Sequence, residues 1–97
     1  MKHHDLYIHL KELAEQLGIR FYEKNFRNAG IQVTSGLCKI EGVRHFFMDK
    51  HKKIREKTEI LAAALSRFPL DDIYIIPAVR DFIEQNSEVD PSDDQRR

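Results

Sequence analysis

Cysteine occurs once in the 97 residues, at Cys38, so no intramolecular disulfide can form and the chain fits a reducing compartment. An excess of charge of one sign is missing too. Sixteen Lys and Arg balance sixteen Asp and Glu, which leaves no global field favouring DNA, RNA or an anionic membrane. No apolar run approaches the roughly 20 residues that span a bilayer. His9, Lys11 and Glu12 break the N-terminal segment where a signal peptide would be continuously apolar. The expectation is a cytoplasmic protein without membrane contact.

Complete catalytic motifs are also lacking. Specific zinc sites need three or four converging ligands, and His3, His4, His9, His45 and His51 show no such spacing. His3 and His4 could bind metal adventitiously, and His9 borders a leucine stripe as a half-buried helix residue would. No phosphate loop and no nucleophile motif is present. No cofactor or metal is implied.

What the chain does have is enough apolar content for a core. With 41% hydrophobic residues it fits one domain that buries roughly two thirds of its unfolded surface. We place that domain at residues 1–86. The tail 87–97 carries Glu88, Asp90, Asp93 and Asp94 with Pro91 and has little to bury, so it reads as disordered.

The centre of the pattern is a hairpin followed by a helix. Glu41-Gly42 separates two runs rich in β-branched and aromatic residues, and a two-residue turn there pairs Ile40 with Val43, Lys39 with Arg44, Cys38 with His45 and Leu37 with Phe46. Ile40, Val43, Cys38, His45 and Phe47 then share one face, and Leu37, Phe46 and Met48 the other. Both faces are partly apolar, so covers are expected on both. Ile54, Thr58, Leu61, Leu65 and Phe68 repeat at helical spacing and predict a helix over 52–68 that supplies one cover.

Leu6, Leu10, Leu13 and Leu17 predict an amphipathic helix over 5–17, closed by Gly18, with the remaining sheet face as its natural surface. Ile19 to Asn25 alternates loosely, Ile19 and Phe21 against Arg20, Tyr22 and Lys24, and reads as a strand. Asn28-Ala29-Gly30 reads as a turn, and Ile31 and Val33 begin a further strand. Ile73 to Ile76 is a buried turn or a short strand. Pro77 suits the first turn of a closing helix that fades near Asn86. The fold class is therefore α+β: a small antiparallel sheet of about three strands, packed with an N-terminal, a central and a short C-terminal helix.

Two constellations carry chemistry. Cys38 opposite His45 has the shape of a thiol pair, since an adjacent imidazole can hold a thiolate and act as its base. The simpler reading is that Cys38 packs as a small buried hydrophobe. The second is basic: Lys39 to Lys57 holds seven cations against three acids, with Lys39, Arg44, Lys50, Lys52, Lys53 and Arg55 as candidate contacts. A solvated face is the simplest account, an acidic protein surface the next, and nucleic acid the least favoured given the neutral total charge.

Gly36-Leu37-Cys38, Ile40, Gly42, Met48-Asp49-Lys50, the helix from Glu56-Lys57 to Leu65, and Pro77-Ala78-Val79-Arg80 together resemble small uncharacterised bacterial proteins of unknown function, over roughly 36–83. The resemblance implies a shared fold and no chemistry. The hairpin-then-helix order also weakly resembles the core of zinc metallopeptidases. Leu61-Ala62-Ala63-Ala64-Leu65 stands where their HExxH would be, so that likeness implies a catalytically dead relative. The leading expectation is a non-enzymatic binding or assembly module for another protein, with a homodimer compatible. A thiol enzyme or redox sensor using Cys38 and His45 is the alternative, and a weak nucleic-acid binder using the Lys39 to Lys57 patch a third.

Overall fold

The computed structural model describes residues 1–25 and 36–87. In chain order these form α1 (His3–Gln16), β1 (Arg20–Lys24), β2 (Gly36–Ile40), β3 (Val43–Asp49), α2 (Ile54–Leu65) and α3 (Pro77–Gln85). The fold is α+β. The predicted turn at Asn28 to Gly30, the strand start at Ile31 and Val33, and the tail beyond Ser87 lie outside the described residues.

Helix α1 forms because Leu6, Leu10, Leu13 and Ala14 recur on one face, and all four are buried. Its end is set by Gly18 at φ +79°. The Ile19 N–H donates to the Ala14 carbonyl and the Gly18 N–H to the Glu15 carbonyl, a Schellman closure that turns the chain into β1. The hairpin joining β2 to β3 has the expected register, Ile40 with Val43 through Leu37 with Phe46. Glu41 at φ 51° and Gly42 at φ 82° are the two left-handed residues that a type I′ turn requires.

Beyond β3, the Asp49 side chain accepts the His51 N–H at 3.0 Å, and its carbonyl accepts the Lys52 N–H at 3.2 Å. That local turn delays α2 to Ile54, two residues after the predicted start. The helix stops at Leu65, three residues short of Phe68, and the chain continues through turns to Pro69. Pro77 occupies the first turn of α3 as predicted, and Ile73 to Ile76 is irregular with Ile75 buried rather than a strand.

Two expectations are overturned. The sheet is mixed rather than antiparallel: its order is β1-β3-β2, β2 runs antiparallel to β3, and β1 runs parallel to it, with Arg20 opposite His45 and Lys24 opposite Asp49. A tight turn fixes direction only between the strands it joins, and β1 meets β3 across a long connection that permits either sense. Nor does α1 cover the second face. Leu6, Tyr7, Leu10 and Leu13 of α1 share a single core with Phe46, Met48, Leu61, Leu65, Val79 and Ile83. α1 packs mainly along α2, and Phe21 of β1 faces the same core. The result is two layers, with helices on one side of the sheet.

Thr58 is the polar residue fully enclosed in this core. Its hydroxyl lies 2.6 Å from the Ile54 carbonyl and 3.3 Å from that of His3, so burial leaves no bare polar group and the start of α1 is fastened to α2. Fully burying Leu10, Leu61 or Leu65 stabilises by roughly 1.5–3 kcal/mol each, which is why the apolar stripes decide the architecture. Among the described residues no helix is long and apolar enough to cross a membrane.

Candidate functional site: the open face of the sheet

Strand alternation places Arg20, Tyr22 and Lys24 of β1, Val43, His45, Phe47 and Asp49 of β3, and Gly36, Cys38 and Ile40 of β2 on the side away from the helices. No described helix lies on that side. Ile40 is 45% exposed and Val43 37%, the pair that flanks the hairpin turn. At the centre three half-buried rings gather. Tyr22 lies 5.4 Å from Phe47 and 5.9 Å from His45 between centroids, and His45 lies 6.2 Å from Phe47. Their planes agree within 18°.

The same geometry decides the thiol pair. Cys38 does stand opposite His45 in the ladder, but it is exposed, which overturns its reading as a core residue. Burial on one face explains the outcome: the face carrying Cys38 has no described helix over it. The imidazole stacks on Tyr22 and Phe47 instead of bonding the sulfur, and its buried Nδ1 has no hydrogen-bond partner among the described residues. Cys38 and His45 are neighbours in the ladder, with no hydrogen bond joining them among the described residues.

The predicted basic patch is divided. Lys39 and Arg44 form a cross-strand pair beside the hairpin tip on the helix side, where the Arg44 guanidinium sits 5.2 Å from the Phe68 ring. Lys50, Lys52 and Lys53 follow the opposite end of β3, about 20 Å away at strand rise. Arg55 is engaged with Glu59 at 3.3 Å, one turn along α2. The Lys50 N–H donates to the Lys24 carbonyl at 3.0 Å, which ties the start of this segment to the end of β1. Sequence reasoning missed Arg20, Tyr22 and Lys24 as site residues. Their alternation against Ile19 and Phe21 was visible, but its meaning depended on the partner strand.

On the helix side of β1, a second polar group ties elements together. The buried Tyr7 hydroxyl donates to Glu23 Oε2 at 2.5 Å, and Lys57 Nζ donates to Glu23 Oε1 at 2.9 Å. Burial, then the bond to Glu23 and its charge, push the phenol far above its ordinary 10.0. Partial burial of Glu23 acts to raise its carboxyl. The bonds from Tyr7 and Lys57, with the Lys57 and Lys11 charges, outweigh it and hold the group below the ordinary 4.5. Tyr7, Glu23 and Lys57 satisfy one another's hydrogen bonds. Their chemistry is that of a clasp between α1, β1 and α2.

Elsewhere, shallow depressions lie among the described residues. One of about 430 Å³ lies beside Phe68, Leu70, Arg80 and Ile83. Another of about 280 Å³ lies between α1 and Tyr74-Ile75-Ile76. Among the described residues no group of three His, Cys, Asp or Glu could hold a metal ion. At the position compared with HExxH, Leu61, Ala62 and Leu65 are core residues. No family model matches the chain, and no curated protein or solved structure gives a significant match.

Proposed function

We propose that the protein is a non-enzymatic binding module that docks a partner on the open face of its sheet. One observation carries this reading: all the described helices lie on one side, leaving Tyr22, His45, Phe47, Val43 and Ile40 presented on the other. Leaving such residues uncovered forgoes roughly 25 cal/mol per Å² of burial, a cost that a partner's surface would recover. Arg20 and Lys24 border the rings, so the partner that fits combines planar or apolar groups with negative charge. The thiol-enzyme reading has less support, because Cys38 and His45 do not engage each other.

The test places a photo-crosslinking residue at Ile40 on the open face or at Ile54 on α2, two isoleucines of similar exposure. In lysate from cells expressing the chain, the Ile40 probe is expected to yield a discrete adduct that the added Lys24→Glu change abolishes. The Ile54 probe is expected to yield none. Equal labelling from both positions, or none from Ile40, sinks the proposal.

A further inference from the structure

We infer that the open face, continued by the lysines at its β3 end, binds single-stranded nucleic acid; the inference rests on the binding-module reading and names its partner. Two independent features converge. The first is the ring cluster of Tyr22, His45 and Phe47, central on a face with no described helix over it. Opposite Phe47 in the ladder stands Gly36, which has no side chain to shield that flank of the ring. Aromatic side chains displayed this way stack on bases, at about 1–3 kcal/mol per base, without regard to sequence.

The second feature is positive charge without an ion-pair partner, on β1 of this face and in the segment that follows β3. On β1 the outward residues alternate Arg20, Tyr22, Lys24, with the Lys24 ammonium 5.6 Å from the Tyr22 ring centroid. Lys50 is bonded to β1 through the Lys24 carbonyl, and Lys52 and Lys53 follow it. Arg20, Lys24, Lys50, Lys52 and Lys53 have no ion-pair partner among the described residues, whereas Lys57 and Arg55 are paired with Glu23 and Glu59. Asp49 is the acidic residue on this face, and its carboxylate is engaged by the His51 N–H. Two unpaired cations, Arg20 and Lys24, thus border the three rings on β1, and three more follow β3 in the chain.

Rings and unpaired cations together select the ligand class. An acidic protein segment answers the lysines and leaves the rings idle. A duplex answers the lysines too, but its base faces are hidden in the stack. A single strand offers accessible bases and a phosphate chain, and so uses both groups. With three or four phosphates engaged at about 0.7 decade per decade of salt each, raising salt fourfold should weaken binding roughly 20- to 50-fold.

The experiment is fluorescence anisotropy of labelled 12-nucleotide oligo-dT and oligo-rU, a 12-base-pair duplex and a poly-glutamate peptide, titrated with the full chain at 50 and 200 mM salt. Single strands are expected to bind in the micromolar range at low salt, more tightly than duplex or peptide. Phe47→Leu keeps an apolar side chain at that site and should weaken binding at least fivefold with the salt slope unchanged. Lys24→Glu with Lys50→Glu should weaken it and flatten the slope. Both residues are exposed, so this variant decides the matter if Phe47→Leu fails to fold. Absence of single-strand binding up to about 100 µM at low salt, affinity indifferent to both variants, or equal binding of poly-glutamate overturns the inference. If oligonucleotides fail while the Ile40 probe still captures a protein in a Lys24-dependent way, this inference falls and the binding module stands; if both fail, both fall.

Discussion

The Tyr7 hydroxyl and the Glu23 carboxylate, 16 residues apart, meet at 2.5 Å and hold α1 against β1, with Lys57 of α2 bonded to the other carboxylate oxygen. This clasp makes stability depend on pH at both ends of the range. Because Glu23 titrates below its ordinary 4.5 in the fold, its contribution is complete above that value and is lost as pH falls through the folded one. Tyr7 runs the other way: its folded value lies above 10.0, so its contribution is complete below pH 10 and fades as the unfolded phenol ionises above it. Thermal melts from pH 2 to 11 should show both flanks, and Tyr7→Phe should abolish the alkaline one attributable to this residue.

At neutral pH, Tyr7→Phe removes a hydrogen bond to a charged acceptor that keeps Lys57 as its other partner. A loss of about 1.5–3 kcal/mol is expected, read from urea unfolding. A change below about 0.5 kcal/mol would mean that solvent replaces the bond at no cost.

The two faces of the sheet should respond differently to truncation. Leu61→Ala empties a site that is 0% exposed and should cost about 2–5 kcal/mol. Ile40→Ala on the open face should stay within about 1 kcal/mol. Comparable losses at both positions would place a cover over the open face.

Cys38 should behave as a surface thiol. Alkylation of the folded chain is expected to proceed at a rate close to that of the unfolded one, and His45→Ala should leave that rate unchanged because the imidazole makes no hydrogen bond to the sulfur. Protection of Cys38 in the native state, or a rate that collapses in His45→Ala, contradicts the geometry.

The hairpin turn offers a test in both directions. Gly42→Ala meets no atom within 4 Å, so its cost comes from the left-handed backbone alone, about 1–2 kcal/mol. Glu41 occupies the other left-handed position at φ 51°, where asparagine is better suited, and Glu41→Asn should stabilise by a few tenths to about 1 kcal/mol. Denaturant midpoints of the two variants should move in opposite directions.

How far the fold could be read from the residues follows from where the information lies. The Glu41-Gly42 turn, the Gly18 closure of α1 and Pro77 at the start of α3 are local, and each is decided by a few neighbouring residues. The sense of β1 is not local, because no turn links Lys24 to Val43. Both faces of the hairpin also carry apolar side chains, so alternation alone could not say which one would be covered. Cys38 was misplaced for that reason, and the ring cluster was hidden because Tyr22 reaches His45 and Phe47 only through the parallel pairing. Lys39 and Lys50 looked continuous in the sequence, yet β3 holds them at opposite ends.

The parallel pairing of β1 with β3 also bears on the order in which the chain assembles. Each β1 residue meets a partner 25 positions later, as Arg20 meets His45, whereas hairpin partners lie 3 to 11 positions apart. Short-range contacts close at smaller entropic cost, so the hairpin and α2 should nucleate, with α1 and β1 joining afterwards. Folding rates should then drop with substitutions at Val43 or Gly42, while those at Phe21 or Tyr7 chiefly speed unfolding. The edge of β3 that β1 occupies would meanwhile stand open, an adhesive interval during which a nascent chain depends on its own first 24 residues to keep other strands away.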